Sequence, residues 1–469
     1  MREKQLGYVV MSNSDVENKI RYHYAGISGS GMSALAQFQA MTGIRVSGSD
    51  RAFDRDPQDE ARPKLEQLGI TIYPQDGSGV GEDCKAMIVT SAVESDVPDY
   101  VAAKKLGIPI IHRSEILAEF VNKYRTIAIG GTSGKSTVVA MVFEILHRLD
   151  YHPSVITGGN LVLLEEKGLL GNAWFGNSDL LVIEADESDG TITRYEPSVG
   201  VVLNLSKDHK EVDVVAEMFT AFRSHTKEAF IAGEDENIAG IAGDAGIFGF
   251  GPRAAVRAEG VNITPTYSEF SVGDVRFRIP VPGRYNIKNA LAAISVCRAL
   301  GVGFSEMKQP LAEFRGVNRR FQSLGMVNGI EVIDDFAHNP VKIKAAIETA
   351  QLRARRVLAI FQPHGFTPTR FLRKELVDAF VQALRPEDKA WLLEIYYAGG
   401  TTKKDFSAAD ITKEIAYLGR QAGFAPTRDV LIENLMDEVR EGDLILLMGA
   451  RDPSLTGFAR RIVEALKKK

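Results

Sequence analysis

One stretch constrains this chain more than any other: a strand-like run that leads into glycines, a lysine and two hydroxyl residues. Residues 127–129 are apolar, residues 130–134 are rich in glycine, and Lys135, Ser136 and Thr137 open a helix-compatible stretch. A tight loop between a strand and a helix directs backbone N–H groups and the positive end of the helix dipole at one point. The lysine can reach terminal phosphates there, and the serine can ligate Mg²⁺. The pattern therefore predicts a phosphate-binding loop.

The predicted loop is one residue shorter than the common phosphate-loop pattern. That pattern places a glycine five positions before Gly134, where this chain has Ile129, which indicates a particular subfamily of ATP users. The alternative, a glycine-rich turn without a ligand, would make the order Gly-Lys-Ser-Thr after a strand a coincidence. The residues predicted to hold phosphates are Gly131, Thr132, Ser133, Gly134, Lys135, Ser136 and Thr137.

Length, charge and cysteine content limit the class of protein. The 469 residues correspond to about three domains of ordinary size. The formal net charge of −5 argues against a nucleic-acid-binding protein, which needs a basic excess to neutralise phosphates. Cys84 and Cys297 cannot form a disulfide framework and lack metal-site spacing. No stretch approaches the roughly 18 apolar residues of a membrane span, so we expect a cytoplasmic protein without a signal peptide or a membrane partner.

A weaker glycine run begins the first predicted domain, residues 1–121. A short strand at residues 22–25 leads into the glycine-rich residues 26–33 and a helix, and Asp50 follows a second strand. Strands and helices continue to alternate, which is typical of a parallel, Rossmann-like sheet. The run favours a diphosphate at the helix N-terminus, with Asp50 near a sugar or base. Its spacing is Gly-x-x-Gly-x-Gly, not the Gly-x-Gly-x-x-Gly of NAD proteins, and a tight turn without a ligand is the alternative.

Acidic residues and a histidine follow apolar strands in the second predicted domain, residues 122–316. The strand at residues 180–183 ends in Glu184, and a later strand ends before His209. Open α/β sheets bind ligands at the carboxyl ends of strands, and carboxylates suit Mg²⁺. We therefore expect Glu184 and His209 at a metal or phosphate site; an acidic solvated loop and an unremarkable histidine are the alternatives. Residues 228–281 predict a small mixed or antiparallel β region.

Two asparagines lie at the start of the last helix of this domain. Asn286 is a natural helix cap, and Asn289, three residues on, can lie on the same helix face. Binding of a ligand and capping alone are the two roles that this pattern allows.

The third predicted domain, residues 317–469, repeats the alternation of strands and helices. Polar residues gather after the strands at residues 329–333 and 357–361, where a ligand-binding edge is expected. We therefore predict an α/β protein of three domains. The N-terminal and C-terminal domains are Rossmann-like, and the central domain is a P-loop ATPase domain with a parallel sheet.

The motifs occur in a specific order. A glycine-rich turn is followed by Gly-Thr-x-Gly-Lys-Ser-Thr, Glu-Ala-Asp-Glu-Ser-Asp, Asn-x-x-x-Asp-His, Asn-x-x-Asn-Ala, Arg-Arg-Phe and Asp-Asp-x-x-His-x-Pro. This order resembles the Mur ligases of bacterial cell-wall synthesis across essentially the whole chain. The resemblance implies an ATP-dependent carboxylate–amine ligase of peptidoglycan precursor synthesis that uses ATP and Mg²⁺.

The resemblance also implies the substrates. They would be UDP-N-acetylmuramate and a small amino acid, L-alanine, joined through an acyl phosphate. The alternative is attachment of the recycled cell-wall tripeptide L-Ala-γ-D-Glu-meso-diaminopimelate to the same UDP-sugar. The oligomeric state is unknown from these motifs.

A role for each candidate residue follows from the same resemblance. The UDP-sugar diphosphate would lie near Gly29, Ser30, Gly31 and Met32, with Asp50 beside it. The groups implied for ATP, besides the loop, are Asn286, Asn289, Arg320, Asp335 and His338. The implied metal ligands are Ser136, Glu184 and His209, and the implied catalytic residues are Lys135, Glu184, His209 and Arg320. His364 and Arg370 would face the incoming amino acid or the γ-phosphate.

Several positions depart from the family pattern. Ser133 stands where a histidine is usual in the loop, and Tyr285 precedes Asn286 in place of a histidine. Gly365 and Phe366 replace the usual arginine and tyrosine, which removes a cation and a hydroxyl near the expected amino-acid site. Some members carry a carbamylated lysine between two metals, for which Lys227 is the nearest candidate.

Two other classes of function compete with a ligase. A nicotinamide oxidoreductase would use the first glycine run and leaves residues 130–137 unexplained. A non-catalytic nucleotide-binding protein is expected to lack metal-binding groups, whereas Glu184 and His209 are present.

Overall fold

Three mainly parallel sheets follow one another along the chain, and a small antiparallel sheet lies between the second and third in sequence. The computed structural model describes residues 21–91, 93–187, 190–206, 211–397, 404–452 and 454–469. The sheets and their covering helices confirm the predicted α/β class. The predicted domain boundaries stay predictions; the last helix beside the first sheet ends at Lys123 and the third large sheet begins at Gln322.

The first sheet is a five-stranded parallel sheet in the order β3-β2-β1-β4-β5. Its strands are β1 (Arg21–Ala25), β2 (Arg45–Ser49), β3 (Thr71–Tyr73), β4 (Cys84–Val89) and β5 (Ile110–His112). Its helices are α1 (Ser30–Met41), α2 (Arg51–Arg55), α3 (Ala61–Glu66), α4 (Pro98–Leu106) and α5 (Arg113–Lys123). Chain order reverses between β1 and β4, so the glycine turn after β1 lies at the position where such sheets bind ligands.

The second sheet has eight strands in the order β13-β12-β11-β10-β6-β9-β7-β8, parallel except at the β7–β8 edge. Its strands are β6 (Arg125–Gly130), β7 (Ser154–Ile156), β8 (Ala173–Trp174), β9 (Leu180–Glu184), β10 (Val199–Val202), β11 (Ala229–Gly233), β12 (Gly246–Gly249) and β13 (Val256–Arg257). The helices are α6 (Lys135–Arg148), α7 (Val162–Glu165), α8 (Val212–Ser224), α9 (Ala239–Ala242), α10 (Arg284–Ala299) and α11 (Lys308–Ala312), with 3₁₀ turns at Thr191–Arg194 and Glu236–Ile238. Because β6 lies between β9 and β10, the ends of those strands flank the phosphate loop.

Helix α6 is buried along most of its length, which explains its apolar sequence. It shares one apolar core with α10, in which Val139, Phe143 and Leu291 are fully buried. A helix that is apolar on all sides belongs inside a domain. The phosphate loop is therefore anchored to a helix that lies inside the domain.

The small sheet consists of β14 (Glu259–Ile263), β15 (Ser268–Val272) and β16 (Val275–Ile279), and all its pairs are antiparallel. In β16 the side chains of Phe277 and Ile279 are buried, whereas Arg276 and Arg278 are exposed. This alternation places one face against the core and the other in solvent. The predicted small antiparallel region is thus present at residues 259–279, whereas β11, β12 and β13, in the first part of the predicted range 228–281, extend the large parallel sheet instead.

The third large sheet has the order β17-β18-β22-β19-β20-β21, and only β17 runs antiparallel to its neighbour. Its strands are β17 (Gln322–Val327), β18 (Ile330–Asp335), β19 (Arg356–Gln362), β20 (Lys389–Leu393), β21 (Gln421–Ala425) and β22 (Asp443–Gly449). Its helices are α12 (Pro340–Gln351), α13 (Phe366–Phe371), α14 (Arg373–Ala383), α15 (Ala408–Tyr417), α16 (Arg428–Glu438) and α17 (Leu455–Lys468). The carboxyl ends of β18, β22 and β19 therefore lie side by side.

Both cysteines are free and buried. Burial raises the pKa of the Cys84 thiol and of the Cys297 thiol. Since the thiolate is the reactive form, both side chains are chemically quiet core residues. Within the described ranges, no helix has the length and apolar character needed to cross a bilayer.

Candidate functional site

The phosphate loop has the backbone that its sequence predicts. Gly134 precedes α6 with a φ of 92°, in the left-handed region that favours glycine. A Cβ atom at this position would lie 2.5 Å from Oδ1 of Asn289 on α10. Glycine is therefore required both by the backbone conformation and by the close approach of the asparagine. The two predicted ATP-binding segments meet at this point.

Asn204, which follows β10, holds the loop in shape. The N–H of Thr132 donates to the carbonyl of Asn204 at 3.2 Å, and the N–H of Ser133 donates to its Oδ1 at 2.9 Å. The Asn204 amide donates in return to the Ser133 carbonyl at 2.9 Å. These bonds fix the loop to the segment that follows the neighbouring strand β10.

Lys135 is surrounded by carboxylates. Its Nζ lies 2.7 Å from Oε2 of Glu187 and 3.8 Å from Oδ1 of Asp186. Burial disfavours the ammonium, but Glu187, Asp186 and Glu184 outweigh this effect and raise the lysine pKa. The lysine is therefore charged, and the carboxylates around it leave an excess of negative charge.

The residues predicted to bind Mg²⁺ adjoin one turn, residues 157–159. Oε1 of Glu184 accepts hydrogen bonds from the Thr157 hydroxyl and, at 3.0 Å, from the Gly158 N–H. A Cβ atom at Gly159 would lie 3.4 Å from Oγ of Ser136. A carboxylate and a hydroxyl at the end of a phosphate loop are the oxygen donors that Mg²⁺ prefers, with phosphate oxygens and water completing the shell.

These residues therefore fit a magnesium ion bound together with a nucleotide. Among the described residues, no group of three or more His, Cys, Asp or Glu side chains could hold a metal. His209, the third predicted metal ligand, lies outside the described residues. Lys227 forms an exposed ion pair with Glu196 just before β11, at the amino ends of the strands, so it does not reach this site.

A cavity of about 150 Å³ lies between the central and C-terminal domains. Seven predicted ATP-binding residues line it: Ser133, Gly134, Thr137, Asn286, Asn289, Arg320 and Asp335. The remaining lining residues are Leu203, Asn204, Phe248, Val281, Tyr285, Lys288, Phe314, Gly316, Val317, Ala337, Val341, Lys342, Ala345 and Ala346. A cavity with an apolar wall and a phosphate loop at one end suits a nucleotide, and it is called the nucleotide cavity below.

The sequence predicted Asn286 as the N-terminal cap of α10, and this prediction is wrong. The helix begins at Arg284 and its cap is Gly283, whose φ of 108° turns the chain into the helix earlier than expected. Asn286 instead lies in the first turn, where its amide donates to the Pro282 carbonyl at 2.8 Å. Its Oδ1 lies 3.5 Å from the Asn289 amide nitrogen. Both asparagines line the nucleotide cavity from the same helix face.

Arg320 connects the C-terminal domain to the phosphate loop. Its Nη2 donates to Oγ of Ser136 at 3.2 Å, and its guanidinium lies 4.9 Å from the centre of the Phe336 ring. The flanking residues Arg319 and Phe321 have φ values of 56° and 51°, which are uncommon for residues with side chains. Such a backbone is kept where the surroundings require it, and here it directs the guanidinium at the loop.

Asp335 holds the same segment in place. Its Oδ2 accepts the Phe321 N–H at 2.6 Å and its Oδ1 accepts the Ala337 N–H at 2.7 Å. Burial raises the pKa of this carboxyl, and the Arg320 guanidinium acts in the opposite direction. Asp335 therefore supports Arg320 in addition to lining the cavity.

His338 and His364 meet at a second, smaller cavity. Their ring centres are 5.5 Å apart, and the cavity of about 20 Å³ is also lined by Phe361, Pro363 and Pro368, among others. Burial lowers the pKa of His338 well below its usual value, so the ring is neutral. Nδ1 of His338 lies 2.9 Å from the Phe336 carbonyl, which assigns the proton to Nδ1. The structure thus groups His338 with His364 and not with the nucleotide cavity.

Arg370 lies away from that pair. Its guanidinium forms an ion pair with Asp405 and lies 5.3 Å from the centre of the Phe406 ring. The side chain is 45% exposed and is absent from the described lining of both cavities. The structure therefore does not bring Arg370 and His364 together at one cavity.

The first glycine turn is held by Asp50. Its Oδ2 accepts the N–H of Ser28 at 2.9 Å and the Ser28 hydroxyl at 2.6 Å, and its Oδ1 accepts the Ala52 N–H at 2.8 Å. The carboxylate therefore supports the turn as well as the start of α2. A Cβ atom at Gly31 would lie 3.0 Å from Nη1 of Arg113, so a cation from α5 reaches the N-terminus of α1. No local sequence signal pointed to this arginine.

Three domain families of the Mur ligases match successive parts of the chain. The Mur ligase family catalytic domain matches residues 21–125, the Mur ligase middle domain residues 129–297, and the Mur ligase glutamate ligase domain residues 319–451. These matches follow the order of the three large sheets.

Known proteins of similar length resemble the chain from end to end. The UDP-N-acetylmuramate–L-alanine ligase of Pelotomaculum thermopropionicum is 33% identical over 96% of this chain and 99% of its own. The enzyme of the same name from Thermosynechococcus vestitus is 34% identical over 92% of this chain and 93% of its own. The crystal structure of the UDP-N-acetylmuramate–alanine ligase of Thermotoga maritima matches with a TM-score of 0.79 and 28% identity, over 96% of this chain and 99% of that one. The chain belongs to the Mur ligase family.

Proposed function

We propose that this protein is an ATP-dependent ligase that joins L-alanine to UDP-N-acetylmuramate in peptidoglycan precursor synthesis. The observation that carries the proposal is the cavity in which the phosphate loop of the central domain meets Arg320 and Asp335 of the C-terminal domain. The relatives that span the whole chain bear the name of this activity. ATP would transfer its γ-phosphoryl group to the lactyl carboxylate of the UDP-sugar, which releases ADP. The amine would then attack the acyl phosphate and release inorganic phosphate.

The charged groups of the loop explain how the first step would be assisted. Phosphoryl transfer depends mainly on positioning and on compensation of negative charge. The ammonium of Lys135 would lie against the terminal phosphates, and Arg320, 3.2 Å from Ser136, would add a second cation. One Mg²⁺ held by Ser136 and Glu184, and a second held by His209, would offset charge on the same phosphates. The loop residues from Gly131 to Thr137, with Asn286 and Asn289, would hold the nucleotide.

The first domain would hold the UDP-sugar at the N-terminus of α1. Gly29, Ser30, Gly31 and Met32 are the residues proposed to contact the diphosphate, and Asp50 shapes the turn that presents them. Helix N-termini bind phosphates through free backbone N–H groups. The position of Arg113 beside Gly31 supports this assignment, because a guanidinium can bind phosphate oxygens.

The second cavity is a candidate site for the methyl group of the incoming alanine. A volume of about 20 Å³ is close to that of one water-sized group, so it could receive a methyl group, whether of free L-alanine or of the L-Ala end of the tripeptide. With its proton on Nδ1, His338 would present Nε2 as a hydrogen-bond acceptor to the incoming amine. The candidates for the general base that removes the proton of the amine in the second step are His209, His338 and His364.

The experiment that tests the function measures phosphate release with UDP-N-acetylmuramate, Mg-ATP and a panel of amines. We expect turnover with L-alanine and none with the cell-wall tripeptide. Turnover with the tripeptide alone would replace L-alanine by the recycled peptide as the substrate. Absence of turnover with every amine would overturn the assignment of the UDP-sugar.

Arg370 is the proposed partner of the amino-acid carboxylate. To bind it, the guanidinium would have to exchange its ion pair with Asp405 for one with the substrate. We expect Arg370→Ala to raise the Michaelis constant for alanine about tenfold, the loss of one charge-assisted hydrogen bond, without changing those for ATP and UDP-sugar. An unchanged Michaelis constant for alanine would remove Arg370 from the site.

We also propose a cytoplasmic location, which the two free, buried thiols support.

A further inference from the structure

We propose that Asn172 is a positioning residue that sets the UDP-sugar turn of the first domain in register with the magnesium-binding turn of the central domain. The inference rests on the proposed function, because it assigns one substrate to each turn. Asn172 directly precedes β8, the edge strand of the second sheet, which packs against α1. The Phe38 and Phe175 rings, 5.8 Å apart, close the same interface.

The side chain of Asn172 contacts α1 at three points. Its Nδ2 donates to the Ser30 carbonyl and to Oγ of Ser33, both at 2.9 Å, and its Oδ1 accepts from Nε2 of Gln37 at 2.6 Å. Asn172, Ser33 and Gln37 are each at most 3% exposed. The amide therefore grips the first two turns of the helix whose N-terminus would hold the diphosphate.

The backbone of the same residue holds the other turn. The Asn172 carbonyl accepts the N–H of Thr157 at 3.0 Å. The Thr157 hydroxyl and the Gly158 N–H both donate to Oε1 of Glu184. Asn172 thus connects the carbonyl of Ser30 with the carboxylate of Glu184, directly at the first and through Thr157 at the second.

The chemistry of the network favours positioning over simple packing. Only an amide of this length supplies two donors to α1 and an acceptor to Gln37 at once, without a charge. The network is also incompletely satisfied, because Oε1 of Gln37 is buried without a partner among the described residues. An apolar contact would avoid this cost, so the interface keeps its polar geometry at the expense of stability.

The proposed reaction needs such a residue. The lactyl carboxylate would be presented by the first domain and the γ-phosphate by the central domain, and they react only when a few ångströms apart in the correct orientation. A displacement of about 1 Å can cost about 100-fold in rate. Asn172 would therefore affect the rate with both substrates bound more than it affects either binding step alone.

The test compares Asn172→Ala with Gln351→Met in the full-length protein. Gln351 is the control, because its amide nitrogen, like that of Asn172, donates two hydrogen bonds, but to the Ala383 carbonyl and to Asp388 within the third domain. We expect Asn172→Ala to lower kcat about 10- to 100-fold, with the dissociation constant of a non-hydrolysable ATP analogue changed by less than about threefold. Gln351→Met should lose a similar amount of thermal stability and keep its kcat.

A second readout measures coupling between the substrates. In the wild type we expect the Mg-bound ATP analogue to tighten UDP-N-acetylmuramate binding about fivefold or more, and in Asn172→Ala this factor should approach one. Asn172→Asp should behave like the alanine variant, because a carboxylate cannot donate to the Ser30 carbonyl. If Asn172→Ala does not fold, Ser33→Ala, which removes one of the three contacts, should show a smaller loss of kcat and of coupling.

Two outcomes would overturn the inference: equal kcat losses in Asn172→Ala and Gln351→Met, or no coupling in the wild type. These outcomes differ from failure of the proposed function, in which the wild-type protein would not turn over UDP-N-acetylmuramate at all.

Discussion

The two glycine turns of this protein are built alike and charged differently. The first turn connects strand β1 to helix α1, and the second connects strand β6 to helix α6. Each turn is held by a side chain from the segment that follows a neighbouring strand. The first turn is held by the carboxylate of Asp50, and the second by the neutral amide of Asn204. Residues 26–33 contain no lysine or arginine, whereas the second turn carries Lys135.

The difference shows that similar backbones can demand different ligands. At the first turn the nearby cation comes from another helix, as Arg113 beside Gly31. At the second turn the lysine is already paired with Glu187 in a group of acids that also includes Asp186 and Glu184. Since that group would repel a free polyphosphate, we expect the second turn to take a ligand that brings its own cation.

Loss of Lys135 should have the largest effect. We expect Lys135→Ala to reduce ADP formation about 10³-fold, because a cation directed at the transferring phosphoryl group is removed. The fold should persist, as shown by an unchanged circular dichroism spectrum. The control is Lys389→Ala, which removes a lysine paired with Glu438 at 2.9 Å in the third domain and should retain activity. Near-normal turnover of Lys135→Ala would break the assignment of the second turn to ATP.

Arg113→Ala should affect only the first turn. We expect the Michaelis constant for UDP-N-acetylmuramate to rise about tenfold, the loss of one charge-assisted hydrogen bond, with that for ATP unchanged. Steady-state kinetics with each substrate varied in turn measures both. Arg125→Ala, which removes an arginine paired with Glu228 on the surface, is the control. A larger effect on ATP than on the UDP-sugar would reverse the roles of the two turns.

Glu187→Gln should weaken the dependence of ATP binding on magnesium. Removing one carboxylate from Lys135 frees the ammonium for phosphate, so ATP should bind about three- to tenfold more tightly in the presence of EDTA. Calorimetry with and without Mg²⁺ measures the ratio of affinities. The control variant Glu438→Gln, which alters the half-buried ion pair of Lys389 in the third domain, should leave that ratio unchanged. An unaltered ratio in Glu187→Gln would contradict the charge argument.

The smallest expected effect is on the pH dependence of stability, and it distinguishes the helices that follow the two turns. Helix α6 carries a buried carboxyl, Glu144, whereas α1 carries only neutral buried polar residues. Burial raises the pKa of Glu144 to about 7, although the N–H of Arg315 donates to it and Arg148 lies 3.6 Å away. The protonated form is therefore favoured in the folded state, and the resulting stability, complete below pH 4.5, is lost as pH rises through about 7.

Replacing Glu144 by glutamine removes this loss. The difference in Tm between Glu144→Gln and the wild type should increase by about 2–4 °C in favour of the variant from pH 5 to pH 8. Thermal melts at several pH values measure it, and Gln37→Met on α1 should show no such trend. A difference that is constant with pH would contradict the raised pKa.

What the sequence could predict was local. Strand β6, its loop and α6 follow from adjacent residues, as does Glu184 after an apolar strand, because periodicity and strand ends are properties of short segments. The three α/β sheets follow from the alternation of such segments. The prediction of Asn286 as the cap of α10 was wrong because the conformation of Gly283 determines where the helix begins.

What the sequence could not predict depended on which segments become neighbours. Asn204 grips the loop only because β10 lies beside β6, and Phe248 lines the nucleotide cavity from a strand more than 100 residues away from the loop. The pairing of Arg370 with Asp405 and the approach of Arg113 to Gly31 are likewise tertiary contacts. Residue type and spacing carry no information on such contacts.

The burial of both cysteines makes the protein convenient for site-specific labelling. Because the thiols of Cys84 and Cys297 are buried and protonated, a maleimide dye should not react with them, and neither cysteine needs to be replaced before labelling. Tyr417 of the third domain is 90% exposed and Val101 of the first is 51% exposed. Cysteines introduced at these two positions would accept a donor and an acceptor dye, and energy transfer between them would follow the distance between the outer domains as each substrate is added.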